Sequence, residues 1–241
     1  MVSVVRANKR GSMGYMINGN ADIITGNCVD YINDVVSKAH NPILVSDPPF
    51  NVGYHYGKYK DRMDDTEYYE MMGDIFSLCP SVIVHYPESL YKISFQMKVT
   101  PTRVVSWVYN SNTKRQHRDI AFFNVEPDFE KVRQPYKNPN DKRIKALISK
   151  GHKGAALYDW WNINQVKNVS KQKTGHPCQM PLKVMENVIG VLPDDVTIID
   201  PFCGSGTTLV AAKKLNRKYV GIEIDENYVA IAKERLSSDV A

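Results

Sequence analysis

Two short stretches of this sequence carry residue types that could bind a planar group and hold it in place. The first is Asp47-Pro48-Pro49-Phe50, which follows the apolar run 41–46. Two successive prolines fix φ and cannot continue a β-ladder, so the carboxylate before them and the ring after them are held at the end of a strand. One acceptor beside one flat aromatic face suits a planar, amino-bearing group. An ordinary turn is the alternative interpretation of Asp-Pro-Pro.

The second stretch, residues 200–208, begins with an aspartate and contains a Gly-x-Gly turn between an apolar run and an expected helix. Small residues at such a turn let backbone amides approach a bound cofactor. Glu223 lies about 19 residues beyond Gly204, where a carboxylate can accept hydrogen bonds from ribose hydroxyls. Position 209 is Leu, so the third glycine of the dinucleotide fingerprint is missing. The spacing indicates an adenosine-type cofactor, and a helix-capping turn is the alternative.

The elements that must position these two stretches follow from the apolar periodicity. Both stretches end an expected strand and precede a helix or a turn, which is the pattern of βαβ units. We therefore predict an α/β fold with a mostly parallel sheet and both sites at its carboxyl edge. The expected strands are 22–25, 41–46, 81–86, 103–109, 120–125, 196–200 and 219–225, and the expected helices are 29–40, 64–78, one containing Val184 and Val188, 209–215 and 228–236.

A basic segment interrupts this pattern. Residues 113–173 hold 14 Lys and Arg against 6 Asp and Glu, whereas the rest of the chain holds 17 against 20. Prolines, asparagines and fading periodicity begin at residue 126, so we predict a target-recognition insertion over 126–173 that binds a polyanion. A solvated lysine-rich excursion is the alternative. Residues 1–13 are expected to be a basic tail, and 14–125 with 174–241 one catalytic and cofactor-binding domain.

The composition is that of an ordinary globular protein, with 43% hydrophobic and 24% charged residues. No apolar run approaches the roughly 18 residues that span a membrane, and the N-terminus has no signal-peptide pattern, so we expect a cytoplasmic protein. The cysteines are widely spaced, with no C-x-x-C pair. We therefore expect reduced thiols and neither disulfides nor a metal site.

Taken together, the two stretches resemble the S-adenosylmethionine-dependent DNA amino-methyltransferases. The order, with the Asp-Pro-Pro-aromatic motif first and the cofactor motif last, is that of their β class. Further matches are Gly221-Ile222-Glu223, the segment His176-Pro177-x-Gln179-x-Pro181 and the helix at 228–236. The resemblance implies a circularly permuted, Rossmann-like methyltransferase sheet. It also implies methyl transfer to the exocyclic amine of a base flipped out of double-stranded DNA.

The resemblance assigns the catalytic role to Asp47, Pro48, Pro49 and Phe50. The Asp47 carboxylate and the Pro48 carbonyl would accept the two amino protons of the target base, which is electrostatic and positional catalysis. The ring of Phe50 would stack on the flipped base.

The resemblance also assigns S-adenosylmethionine binding to a second set of residues. Asp200 would lie near the cofactor's ammonium group, and Glu223 would hold the ribose hydroxyls. The family's Gly-Asp pair near the adenine is Gly26-Asn27 here, so the acceptor would be the amide carbonyl. Met180 stands where many relatives carry lysine. The implied cofactor-binding residues are Asn27, Cys28, His176, Asp200, Phe202, Gly204, Gly206, Thr207 and Glu223.

Several alternatives stay open from the sequence. Asp47 favours adenine N6 as the acceptor, because the family's cytosine-N4 enzymes more often carry serine at that position. Methylation of an RNA amine and a catalytically silent nucleic-acid-binding protein are the other two hypotheses. The resemblance further suggests a homodimer and a cognate restriction nuclease as partners.

Overall fold

A computed structural model describes residues 21–56, 59–167 and 173–238 of the chain. The expected basic tail at 1–13 lies outside the described residues, as do positions 168–172 of the expected insertion. The described ranges contain helices and strands throughout. The helices are α1 (Cys28–Lys38), α2 (Asp65–Phe76), α3 (Pro87–Met97), α4 (Lys142–Ser149), α5 (Leu182–Gly190), α6 (Thr207–Lys214) and α7 (Glu226–Ser237). The strands are β1 (Ala21–Thr25), β2 (Pro42–Ser46), β3 (His55–Tyr56), β4 (Tyr59–Lys60), β5 (Ser81–His85), β6 (Arg103–Val108), β7 (His117–Phe123), β8 (Arg133–Gln134), β9 (Ala155–Ala156), β10 (Trp160–Asn162), β11 (Thr197–Asp200) and β12 (Lys218–Glu223).

The main sheet has eight strands in the order β1-β12-β11-β2-β5-β7-β6-β10. The first five of these strands run parallel to one another, and β7 is antiparallel to both of its neighbours. This confirms the predicted mostly parallel α/β sheet. Strand β11, which leads into the second motif, lies directly beside β2, which leads into the first. The chain thus brings its two motifs to neighbouring strand ends, although they are far apart in sequence.

The core consists of two apolar layers, one on each face of the sheet. Successive strand residues point to opposite faces. Accordingly, Leu44 and Ile199 pack with α1, α2 and α3 on one side, whereas Val45 and Ile198 pack with α5, α6 and α7 on the other. Burial on both faces explains why the parallel strands read as continuous apolar runs rather than as alternating ones. The result is a three-layer αβα arrangement that holds the carboxyl ends of the strands rigid.

Helix α3 was not predicted from the sequence. It begins at Pro87, which is well placed in a first helical turn because its missing N–H would have no partner there. It ends at Met97 and is capped by Lys98, which has a left-handed φ of 55°. The helix buries Leu90 and Ile93 against the sheet. It therefore fills the space between β5 and β6 that the sequence analysis left without structure.

The basic segment 126–173 is partly continuous with the main sheet. Its strand β10 pairs in parallel with β6, and Trp161 is buried in the main core. The indole of Trp107 donates to the carbonyl of Ile163 at 2.7 Å. By contrast, every residue of α4 is exposed or half-buried. Among the described residues, none of the helices has the length and apolar character that crossing a membrane requires.

Candidate active site

A cavity of about 290 Å³ opens at the carboxyl ends of the parallel strands. This edge is where open α/β sheets bind their ligands. The cavity brings together all the residues of both predicted sets except Gly206. Those that line it are Asn27, Cys28, Asp47, Pro48, Pro49, Phe50, His176, Asp200, Phe202, Gly204, Thr207 and Glu223.

A hydrogen bond between strand ends joins the two motifs. The hydroxyl of Ser46, which immediately precedes Asp47, donates to Asp200 Oδ1 at 2.6 Å. The same oxygen accepts the backbone N–H of Phe202 at 3.0 Å. Burial raises the pKa of Asp200 to about 6, and its hydrogen bonds from Ser46 and Thr208 oppose that rise. Asp200 is therefore a fixed acceptor that sets the position of one motif relative to the other.

Glu223 is held by two backbone amides at the end of β12. Its Oε2 accepts the N–H of Gly204 at 2.9 Å, and its Oε1 accepts the N–H of Asp225 at 2.9 Å. Burial raises the pKa of this carboxyl. A carboxylate has about four lone-pair sites, so two amide donors leave capacity for further donors from the cavity. The arrangement suits a carboxylate that receives a pair of hydroxyl groups.

The two glycines of the Gly-x-Gly turn have different surroundings. Both adopt left-handed φ values, 50° at Gly204 and 75° at Gly206. Gly204 lines the cavity. A Cβ at Gly206 would lie 2.8 Å from the Cβ of Ala232, so this glycine permits the close approach of α7. Thus Gly206 contributes to packing behind the turn, whereas Gly204 forms part of the wall.

Asn27 and Cys28 form the start of α1 at the cavity rim. The side-chain oxygen of Asn27 accepts the N–H of Val29 at 3.4 Å and thereby caps the helix. The carbonyl that we expected to face an adenine therefore also serves the helix terminus. Burial raises the pKa of the Cys28 thiol to about 12, so it is a neutral group.

His176 lies edge-on to Tyr228, with ring centroids 4.4 Å apart. Burial, with the nearby charges of Lys173 and Arg235, lowers the pKa of His176 to about 4. The imidazole is therefore neutral at physiological pH. A Cβ on Gly204 would lie 3.0 Å from Nε2 of His176, so the imidazole packs directly against the Gly-x-Gly turn.

On the other side of the cavity, Asp47 faces a cation that the sequence analysis did not identify. Nη1 of Arg118, a residue of β7, lies 3.4 Å from each carboxylate oxygen of Asp47. Burial raises the pKa of Asp47 to about 6, although Arg118 opposes this rise, and the charge of Asp200 adds to it. Met180 lines the same region, with its Sδ 3.7 Å from Arg118 Nη1.

The ring of Phe50 contacts two other aromatic rings and one cation. The imidazole of His85 stacks on it with centroids 4.1 Å apart and planes 20° apart, and Tyr86 meets it edge-on at 4.9 Å. The guanidinium carbon of Arg118 lies over the same ring at 4.6 Å. Because His85 covers one face of Phe50, the guanidinium lies over the other face. Phe50, Arg118 and Asp47 all line the cavity.

A buried hydrogen-bond chain supports this turn from behind. The N–H of Tyr86 donates to His85 Nδ1 at 2.8 Å, so the proton of this imidazole is assigned to Nε2. Burial lowers the pKa of His85 to about 3, which keeps the ring neutral. Nε2 then donates to the Tyr68 oxygen at 2.9 Å, and the Tyr68 hydroxyl donates to the carbonyl of Pro49 at 2.6 Å. The chain fixes the second proline of the motif.

Tyr68→Phe should lower the free energy of unfolding by about 1–3 kcal/mol, because the buried His85 N–H loses its acceptor and the half-buried Pro49 carbonyl loses its donor. Urea denaturation, with the m-value unchanged between variants, measures this difference in the free energy of unfolding. Tyr91→Phe is the matched control, since Tyr91 is 74% exposed, and its effect should stay within about 0.5 kcal/mol. Equal stabilities for the two variants would show that the chain through Tyr68 contributes nothing.

Comparison with known proteins identifies the family. The family model described as DNA methylase, of the N6/N4 methyltransferase type, matches residues 81–234. This range is more than half of the chain. The chain therefore belongs to the family of S-adenosylmethionine-dependent DNA amino-methyltransferases, as the motifs predicted.

Individual relatives agree with this assignment. Type II methyltransferase M.HpaI of Haemophilus parainfluenzae is 28% identical over 224 residues, which cover 82% of this chain and 68% of the relative. The solved structure of M1.HpyAVI in complex with SAM superimposes with a TM-score of 0.61 at 18% identity, covering 90% of this chain and 99% of that one. The cytosine-N4-specific PvuII DNA methyltransferase superimposes with a TM-score of 0.63 at 15% identity, covering 91% and 87%. At these identities the two structures establish the fold.

Proposed function

We propose that this protein transfers a methyl group from S-adenosylmethionine to the N6 amino group of an adenine flipped out of double-stranded DNA. The observation that carries the proposal is the single cavity in which Asp47 and Phe50 face the turn of Gly204 and the carboxylate of Glu223. The Ser46–Asp200 hydrogen bond fixes these halves relative to each other. Hydrogen-bond acceptors for an amine thus lie next to a binding site that suits an adenosine-type cofactor.

The donor set on one side of the cavity fits S-adenosylmethionine, which supplies an electrophilic methyl group when it is bound. Glu223, already oriented by two amides, would accept the ribose hydroxyls. Asp200 would offer its carboxylate to the ammonium group, and the apolar side chains of Phe202 and Ile222 line the same wall. The neutral thiol of Cys28 is consistent with a mechanism that needs no protein nucleophile.

On the other side, the turn would hold the target base. Asp47 and the carbonyl of Pro48 would accept the two protons of the amine, which directs the nitrogen lone pair towards the methyl group. The hydroxyl of Tyr68 engages the carbonyl of Pro49 rather than that of Pro48. Positive charge that develops on the nitrogen would meet acceptors that the turn already holds in place, which stabilises the transition state without reorganisation.

Aspartate at position 47 is the reason for preferring adenine N6. Cytosine N4 is the second candidate, because the fold is similar to that of the cytosine-N4-specific PvuII enzyme. Both bases present an exocyclic amine with two protons, so the same acceptors would serve either one. The choice between them depends on the base that the cavity admits.

Nucleoside mass spectrometry of unmethylated duplex DNA, after incubation with the protein and S-adenosylmethionine, tests the proposal. We expect N6-methyladenine, and sequencing that detects methylated positions would then map the target site. N4-methylcytosine as the sole product would transfer the proposal to the second candidate. No product on DNA, with cofactor binding still measurable, would overturn the proposal, and a product on RNA in a parallel incubation would replace it.

We also propose that the basic segment contributes to DNA binding. Lys142, Arg143 and Lys145 are exposed on α4, where they could neutralise phosphates. We also propose a homodimer, which the family resemblance suggests, and a cognate restriction nuclease, because M.HpaI is named as a Type II methyltransferase. Light scattering would decide the first, and resistance of the modified DNA to a nuclease that reads the mapped sequence would decide the second.

A further inference from the structure

Arg118 is buried at the centre of the proposed base site. Only 14% of its side chain is exposed, although it carries a full charge. Its guanidinium carbon lies 4.6 Å from the Phe50 ring centre, and the rings of Tyr86, Trp107 and Tyr109 stand 5.4 to 6.0 Å away. A cation enclosed by aromatic rings needs a charged partner to be stable there, and Asp47 is the carboxylate that it faces.

The position of this guanidinium coincides with the one that a target base needs. A flipped base must place its amine on Asp47 and its ring face on Phe50. The guanidinium is also planar, and its Nη1 donates towards both oxygens of Asp47 while the guanidinium lies over the ring of Phe50. Two planar groups cannot occupy this place at once. Arg118 must therefore move before a base can bind.

We propose that the Arg118 guanidinium occupies the position of the target base in the free protein. When the flipped base enters the cavity, Arg118 moves away and the base takes over the contacts with Asp47 and Phe50. This inference rests on the proposed function of the same site. It adds a residue from β7 to the base-binding machinery, which otherwise comes from the turn after β2. Arg118 is thus a positioning residue that competes with the substrate.

The contacts of Arg118 with Asp47 and Met180 are long, and its guanidinium also interacts with Tyr109. Its two contacts with Asp47 are each 3.4 Å long, and its contact with Met180 Sδ is 3.7 Å. Charge-assisted hydrogen bonds of this type are usually about 2.7–2.9 Å long. Within the part of the chain that the structure describes, its buried Nε has no hydrogen-bond partner. DNA brings phosphates close to any flipped nucleotide, and these anions would receive the released guanidinium.

Arg118 also keeps the buried Asp47 in its ionised, accepting form. Burial raises the pKa of Asp47 to about 6, and Arg118 is the cation that limits this rise. The groups that face this pair from the surrounding elements are Asp200 at the end of β11, Tyr86 after β5, Tyr109 after β6 and Cys178 before α5, with the neutral His85 behind Phe50. Among these neighbours, the ionised Asp200 opposes the ionisation of Asp47, so loss of Arg118 leaves Asp47 harder to ionise.

The test uses duplex DNA in which the base next to the mapped target adenine is replaced by the fluorescent analogue 2-aminopurine, so that the target base keeps its N6 amine and its flipping is reported by the unstacked neighbour. At pH 8.5, where Asp47 is ionised, Arg118→Gln should raise the equilibrium constant for flipping about fivefold or more, because no side chain competes for the place. Wild-type kcat/KM, which reports the free protein in which Arg118 faces Asp47, should fall as the pH drops through about 6. In Arg118→Gln this acid limb should move up by about one pH unit or more.

Arg118→Lys separates the two effects and covers the case in which the glutamine variant fails to fold. The lysine variant retains the cation beside Asp47, so the acid limb of the pH profile should stay in place. It lacks the planar guanidinium that covers Phe50, so the equilibrium constant for flipping should still increase. Arg103→Gln, at an exposed position of β6, is the control and should change neither quantity. Weaker flipping in both Arg118 variants, or an unmoved acid limb in the glutamine variant, would overturn the inference. Wild-type protein that methylates no DNA would instead overturn the proposed function.

Discussion

Replacing Asp47 with alanine should reduce kcat for methyl transfer at least about a thousandfold, because the acceptor that meets the developing charge is lost. The affinity for S-adenosylmethionine should stay within about twofold of wild type, since Glu223 and the turn at Gly204 are untouched. Initial rates with saturating DNA, together with calorimetric titration of the cofactor, measure both quantities. A variant that kept the wild-type rate would exclude Asp47 as the amine acceptor.

Removal of Asp47 also leaves Arg118 as a buried cation without its partner, which costs about 3–5 kcal/mol of stability in comparable cases. Asp47→Asn avoids part of this cost, because its carbonyl can still accept one hydrogen bond. We expect the asparagine variant to fold and to retain at most about 1% of the wild-type rate. Asp74→Ala, at an exposed position of α2, controls for the loss of a carboxylate elsewhere and should retain full activity.

The two motif carboxylates could be predicted from the sequence because each follows an apolar run. The end of a buried parallel strand places its side chain at the ligand edge whatever the rest of the chain does, as at Asp47 and Asp200. Glu223 was predictable for the same reason, from its position at the end of β12. These residues meet because β11 lies beside β2, and the order of the two motifs already indicated this arrangement.

Arg118 could not be found in this way. It belongs to β7, whose insertion in antiparallel orientation between β5 and β6 brings the residue beside Asp47. No local pattern encodes that strand order. The sequence also places Arg118 within the basic excess of 113–173, so its charge looked like part of a DNA-binding surface. The chain from His85 through Tyr68 to Pro49 was missed for a related reason, because it joins three elements that are adjacent only in the folded sheet.

Among the elements that were not predicted, α3 and β10 are concealed by exposure and by composition. Helix α3 has apolar residues at helical spacing, but Tyr91 and Phe95 on its outer side are 74% and 79% exposed and obscure the amphipathic pattern. Strand β10 is short and lies in the proline- and asparagine-rich segment that we read as an insertion. Its burial of Trp161 against the main sheet depends on pairing with β6, which lies far away in sequence.

The second large effect is expected at the cofactor side. Glu223→Gln should raise the Kd for S-adenosylmethionine about fiftyfold, which corresponds to about 2.3 kcal/mol. The amide keeps one acceptor oxygen but directs an NH₂ group at a backbone N–H, either that of Gly204 or that of Asp225. The variant thus loses the charge and one of the two bonds that orient the turn. Glu234→Gln, at an exposed position of α7, should leave the Kd unchanged.

A cofactor analogue separates the two roles of Glu223, direct contact with ribose and orientation of the Gly204 turn. In the wild-type protein, S-adenosylmethionine that lacks the ribose 2′-hydroxyl should bind more weakly, because a charged acceptor loses its donor. If Glu223 contacts that hydroxyl, removing the hydroxyl should weaken binding much less in Glu223→Gln than in the wild-type protein. The reason is that the effects of removing two interacting groups are not additive. Equal penalties in the two proteins would show that Glu223 acts through the turn alone and that another residue receives the ribose.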